Sequence, residues 1–142
     1  MNHAPECPLC TGPGGDVLWQ DRECRVVLAD EPHHPGTCRV ILAEHVRELS
    51  DLAPARQQAL LRVVVAVERA LRTVLGPDKI NLASLGNVVP HLHWHVIPRW
   101  RTDRCFPNAI WGGVQRPGEV PALDARTRTA LLTAVAREAS QA

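Results

Sequence analysis

The chain has 142 residues, with 16 Lys and Arg against 15 Asp and Glu, for a formal net charge of +1. A near-neutral chain has no electrostatic pull toward nucleic acid or an anionic membrane, and no apolar run is long enough to span a bilayer. The length suits one domain with a sizeable core, expected to take in residues 1–142. Met1-Asn2-His3-Ala4-Pro5-Glu6 lacks the basic and apolar regions of a signal peptide, so the cytoplasm is the expected compartment. The 5 cysteines (7, 10, 24, 38 and 105) are an odd number and read as thiols or metal ligands, not as a disulfide framework.

Cys7-Pro8-Leu9-Cys10 comes first, in an N-terminal segment of residues 1–15 that ends in a turn-rich Thr11-Gly12-Pro13-Gly14-Gly15. A Cys-x-x-Cys loop can hold one zinc between two thiolates or act as a redox pair, and it can equally be two unrelated thiols. Asp16–Gln20 and Cys24–Ala29 are short apolar runs around Asp21-Arg22-Glu23, which reads as a β-hairpin. The Asp30–Gly36 segment has two prolines and a glycine and reads as a loop, whose His33 and His34 can touch a ligand but are more simply expected in solvent. Thr37–Leu42 is the third strand, rich in β-branched residues, and Ala43–Leu49 a short helix or turn.

Pro54 opens the longest helix, to about Leu75, with Leu60, Leu61, Val64, Val67, Ala70, Leu71 and Val74 as its apolar stripe and Gly76-Pro77 as its stop. Lys79–Ser84 is the fourth strand. Leu85-Gly86-Asn87-Val88 reads as a tight turn into the next strand, so the two strands are expected to be antiparallel neighbours, with Asn81 and Asn87 near the residues that follow.

Those residues are Val89-Pro90-His91-Leu92-His93-Trp94-His95-Val96-Ile97-Pro98-Arg99. Alternation with a period of two marks a strand with one buried face. His91, His93 and His95 then share one side, about 6.5–7 Å apart, while Leu92, Trp94 and Val96 enter the core. Pro90 and Pro98 are expected to bracket the strand. Beyond it, residues 101–142 form an irregular extension, closed by a helix over about Leu123–Ala139 with Leu131, Leu132 and Val135 on its apolar face.

A row of imidazoles can supply a nucleophile, a base, phosphate hydrogen bonds or metal ligands near neutral pH. His91-Leu92-His93-Trp94-His95-Val96-Ile97 resembles the motif of the histidine triad (HIT) family, His-φ-His-φ-His-φ-φ with φ apolar, at every position. The resemblance extends from about Cys7 to Arg99. It implies an α+β fold, an antiparallel sheet of about five strands with one long helix and a C-terminal helix, and a homodimer. It also implies cleavage of a nucleotide conjugate, such as a phosphoramidate or a dinucleoside polyphosphate, at the α-phosphate through a covalent nucleotidyl-histidine.

By position the nucleophile is His93, with His91 and His95 completing the catalytic set and His95 donating to the phosphate. Asp30, Asn81, Asn87 and Val88 are the implied substrate contacts. No organic cofactor is implied. The Hint-like bacterial branch binds a structural zinc, and its four positions fall on Cys7, Cys10, His45 and His91. Three departures stand out. Thr37 replaces a fourth histidine, Gly86-Asn87 stands in a shortened loop where Gly-Gln is common, and Ala43-Glu44 replaces a basic pair before His45. Thr37 motivates an alternative, a nucleotide-binding or scaffolding protein of low turnover. A third reading, a metalloenzyme with zinc on the triad itself, ranks last.

Overall fold

The computed structural model describes all 142 residues. In chain order they form α1 (Pro8–Thr11), β1 (Asp16–Gln20), β2 (Cys24–Leu28), β3 (Cys38–Leu42), α2 (Pro54–Leu75), β4 (Lys79–Ala83), β5 (His93–Arg99) and α3 (Ala125–Ser140). The five strands make one sheet in the order β1-β2-β3-β5-β4, antiparallel at each step. The expected α+β architecture is the observed one. No helix is long and apolar enough to cross a membrane.

Strand alternation divides the side chains between two faces. Val26, Val40 and Val96 join Leu60, Val64, Val67 and Leu71 of α2 and Leu131 and Val135 of α3 in the main core. Val27 and Ile41 point the other way and meet Cys7 and Leu9 in a smaller cluster. The helices thus cover one face of the sheet, and the N-terminal segment partly covers the other. α2 ends where Gly76 turns left-handed, at φ 60°, and donates its N–H to the Arg72 carbonyl. Two stripe residues behave otherwise than expected. Leu61 and Leu132 are exposed, each one step around its helix from the buried Leu60 and Leu131.

The histidine strand differs in three ways from its reading in the sequence. It begins at His93, so His91 precedes it. The connection from β4 is a long loop over 84–92 and no tight turn, because residues 91 and 92 are stitched elsewhere: Leu92 N–H donates to the Val46 carbonyl and Leu42 N–H to the Leu92 carbonyl. Pro98 lies inside β5, opposite Ile80. The β3 ladder ends at Cys38 opposite Val96, so by Pro98 the strand has lost its β3 neighbour and a missing N–H is tolerated. Leu92, Trp94 and Val96 do face the main core, as the alternation requires.

Cys7 and Cys10 also depart from expectation. They stand on a helical turn, Cys7 capping it, and not in an open loop. His34 is buried where solvent was expected, and the buried Thr37 donates its hydroxyl to the His34 carbonyl at 2.7 Å. The extension beyond β5 is irregular but anchored. Arg99 and Asp103, both buried, form a two-pronged ion pair of 2.8 and 3.0 Å, and Arg99 also donates to the Asn81 amide oxygen and the Asn108 carbonyl. Burial works to raise the Asp103 pKa, but Arg99 and the N–H groups of Cys105 and Phe106 outweigh it and hold it at about 2.

Candidate functional site

Two sites meet at the start of β5. The first gathers Cys7, Cys10, His45 and His91, whose ligand atoms all lie within 4.8 Å of one another. The α1 turn puts both sulfurs on one side, and the His45 N–H, bonded to the Asn2 carbonyl, holds the bend after β3 against the N-terminal segment. Both histidines present Nδ1. The Nδ1 atoms are 3.2 Å apart, Cys10 Sγ lies 3.4 Å from His45 Nδ1 and 3.5 Å from His91 Nδ1, and Cys7 Sγ lies 3.4 Å from His91 Nδ1. With bonds of about 2.05 Å to nitrogen and about 2.3 Å to sulfur, a regular tetrahedron needs about 3.3 Å and about 3.5 Å.

The donor set therefore fits one tetrahedral metal ion. His91 is prepared for it, since its Nε2–H donates to the Leu42 carbonyl at 2.7 Å, which leaves Nδ1 with the lone pair. Burial lowers the His91 pKa against the pull of that carbonyl, with His45, Arg25 and His93 adding to the lowering. The neutral ring is the ligating form.

The second site is a cleft of about 470 Å³ lined by Leu9, Arg39, the Leu85–Val89 loop, His93, His95 and Trp111. His93 donates Nδ1–H to the His91 carbonyl, because a carbonyl can only accept. Its Nε2 is then the nitrogen with the free lone pair. His95 packs edge-on against His93 and against Trp111, each at 5.0 Å between ring centroids. Burial first, then the neighbouring His93 and Arg39, push His95 down to a pKa of about 4. It is a neutral imidazole at pH 7, and its Nδ1 is buried with no protein partner.

The three histidines therefore split. His91 turns to the thiols, while His93 and His95 line the cleft, so the donor set that fits a metal ion includes the two cysteines and not the triad alone. Asn87 and Val88 lie in the cleft wall. Asn81 stands apart from that lining with its side-chain oxygen taken by Arg99, and Asp30 is exposed outside it. Thr37 is buried beneath the loop before β3 and does not line the cleft.

Among the lining residues that escaped the sequence reading, two carry a charge or an aromatic ring, Arg39 and Trp111. Arg39 had a signal, a charge in the middle of a β-branched strand. Trp111 had none, because the knot around Arg99 carries it back over His95 from an irregular segment.

The model of the family described as HIT domain matches residues 14–102. A Mycobacterium tuberculosis protein named AP-4-A phosphorylase is 30% identical over 139 residues, covering 94% of this chain and 69% of that protein. An asymmetrical bis(5'-nucleosyl)-tetraphosphatase of Schizosaccharomyces pombe is 28% identical, covering 72% of this chain and 59% of its own length. Among solved structures, a histidine triad protein of Bradyrhizobium japonicum superposes with a TM-score of 0.69 at 28% identity, over 87% of this chain and 90% of that one. A Zn-bound histidine triad family protein of Mycobacterium smegmatis shares the fold at 22% identity and a TM-score of 0.58, over 90% and 88% of the two chains.

Proposed function

The chain belongs to the HIT domain family, and from that premise we propose that it is a nucleotidyl hydrolase or transferase working through a covalent nucleotidyl-His93. Its relatives are named as enzymes that act on dinucleoside polyphosphates, which supports the enzyme class. The observation that carries the finer reading is the hydrogen bond from His93 Nδ1 to the His91 carbonyl. It fixes the tautomer and aligns Nε2 for attack in a cleft large enough for a nucleotide.

His93 Nε2 attacks the α-phosphorus, a P–N bond forms to the ring, and the bond from phosphorus to the leaving group breaks, an amine leaving group taking up a proton from solvent. Water then attacks the same phosphorus, gives its proton to solvent and releases the nucleoside monophosphate and free His93. His95 donates an N–H to the phosphoryl oxygens as charge builds on them. Asn87 and the Val88 backbone hold the substrate from the loop, and Asn81 and Asp30 are the more distant contacts.

Cys7, Cys10, His45 and His91 bind zinc in the same reading. A closed set of four protein ligands leaves zinc a structural role, tying the N-terminus to the sheet. Residues 1–142 act as one such unit, as a homodimer in the cytoplasm, with no nucleic-acid or membrane partner.

Thr37 favours a second reading, a nucleotide-binding protein of low turnover, since its hydroxyl is spent on the His34 carbonyl and supplies nothing to the cleft. Steady-state assays on adenosine phosphoramidate and diadenosine tetraphosphate separate the two. Turnover that disappears in His93→Ala supports the enzyme. Tight nucleotide binding with no product from either substrate supports the binding protein.

A further inference from the structure

The cleft lining has one side chain with a fixed charge, Arg39, and no carboxylate. Arg39 reaches it from the middle of β3, where its backbone pairs with His95, while the residue paired with His93 is the apolar Ile41. The Arg39 backbone is therefore displaced from that of the nucleophile by one strand, about 4.8 Å, and by two residues along it, and its side chain joins His93 and His95 in the cleft wall. Its guanidinium is held in place. One terminal nitrogen donates to the Gly14 carbonyl at 3.2 Å, and the other pairs with Glu31 at 3.5 Å. Nε is buried and has no protein partner. A cation with an unused donor, one strand beyond an imidazole pair, is placed for a second anionic group beside the one that reacts.

We infer that Arg39 sets substrate preference by binding the phosphate next to the one that His93 attacks. The cleft then favours substrates with ionised groups beyond the α-phosphate over those with a single phosphate. The inference rests on the nucleotidyl-transfer reading above and adds to it the residue that selects among its substrates.

The test compares kcat/KM of wild type, Arg39→Gln and Arg39→Lys on diadenosine tetraphosphate and on adenosine phosphoramidate, which carries one phosphate. A lost charged hydrogen bond corresponds to about a 10- to 100-fold fall. That fall is expected for Arg39→Gln on the tetraphosphate, with a fall at least about tenfold smaller on the phosphoramidate and partial recovery in Arg39→Lys. An equal fall on both substrates, or none on either, overturns the inference while the parent reading stands. Absence of turnover of both substrates by wild type removes the parent reading and Arg39's role with it.

A measurement on the wild type alone guards against a misfolded variant. The α,β-methylene analogue of ADP should inhibit at least about tenfold more tightly than AMP. Equal inhibition overturns the inference.

Discussion

His91 and His93 are two residues apart and live in different surroundings. His91 is fully buried, with one ring nitrogen on the Leu42 carbonyl and the other facing two thiols and His45. His93 has one nitrogen on the His91 carbonyl and its ring in the wall of an open cleft. Every donor in the first region points inward at one small volume. The second region leaves a lone pair, an unpaired His95 nitrogen and the unpartnered Arg39 Nε for something from outside. What separates them is the break before the strand: the Leu92 backbone and the His91 ring bond to the 42–46 seam, and residue 93 begins the ladder with β3. In the proposed reading, one short motif serves a closed structural site and an open reactive one, and the His91 backbone joins them.

If that division holds, substitutions in the two regions have different signatures. His93→Ala should lower turnover by at least about 1000-fold, since it removes the attacking atom, while the melting temperature changes little. Loss of turnover together with loss of the fold would break the comparison.

Cys7→Ser should do the reverse. Metal bound per chain, read by native mass spectrometry, should fall to none. The melting temperature should drop by roughly 10 °C, at roughly 3 °C per kcal/mol for a chain of this size. Activity should fall less than in His93→Ala. Metal retained in Cys7→Ser would place the ion on the triad itself.

The pH dependence of stability probes His95. Its folded pKa of about 4 lies below the ordinary 6.5. Between those values the unfolded chain takes up a proton that the folded chain refuses. The contribution is complete above about pH 6.5 and is lost as pH falls toward 4. At pH 5 about 2 kcal/mol of it is gone. His34 and His91, both lowered first by burial, act in the same direction. Urea unfolding at pH 7 and pH 5 should show a smaller loss for His95→Asn than for wild type, and an equal loss would contradict the buried neutral imidazole.

Trp111→Ala is the mildest change. An aromatic edge contact is worth about 0.5–1.5 kcal/mol, so KM should rise about three- to tenfold with kcat within about threefold. A collapse of kcat instead would give Trp111 a larger part in orienting His95.

Much of this was legible in the sequence where period and punctuation are strong. The helix from Pro54 to Leu75 and the first hairpin are found at the residues expected, because each has a clear apolar rhythm and a proline, glycine or charged turn at its ends. The strand start differs from the reading because His91 keeps the alternating side-chain pattern while its N–H bonds to the Val89 carbonyl and the Leu92 backbone bonds with residues 42 and 46, and side-chain period does not report backbone partners. The loop over 84–92 was read as a turn for the same reason. Trp111 and the buried Arg99–Asp103 pair depend on tertiary packing of an irregular segment, which leaves no periodic trace.

The central claim is that His93 alone of the three histidines carries the nucleotidyl group. Intact-protein mass spectrometry after brief, acid-free quenching with adenosine phosphoramidate tests it most directly, on wild type, Cys7→Ser and His93→Ala. The account predicts an added nucleoside monophosphate mass on wild type and Cys7→Ser and none on His93→Ala. An adduct that persists in His93→Ala, or that maps to His91 or His95, would contradict it.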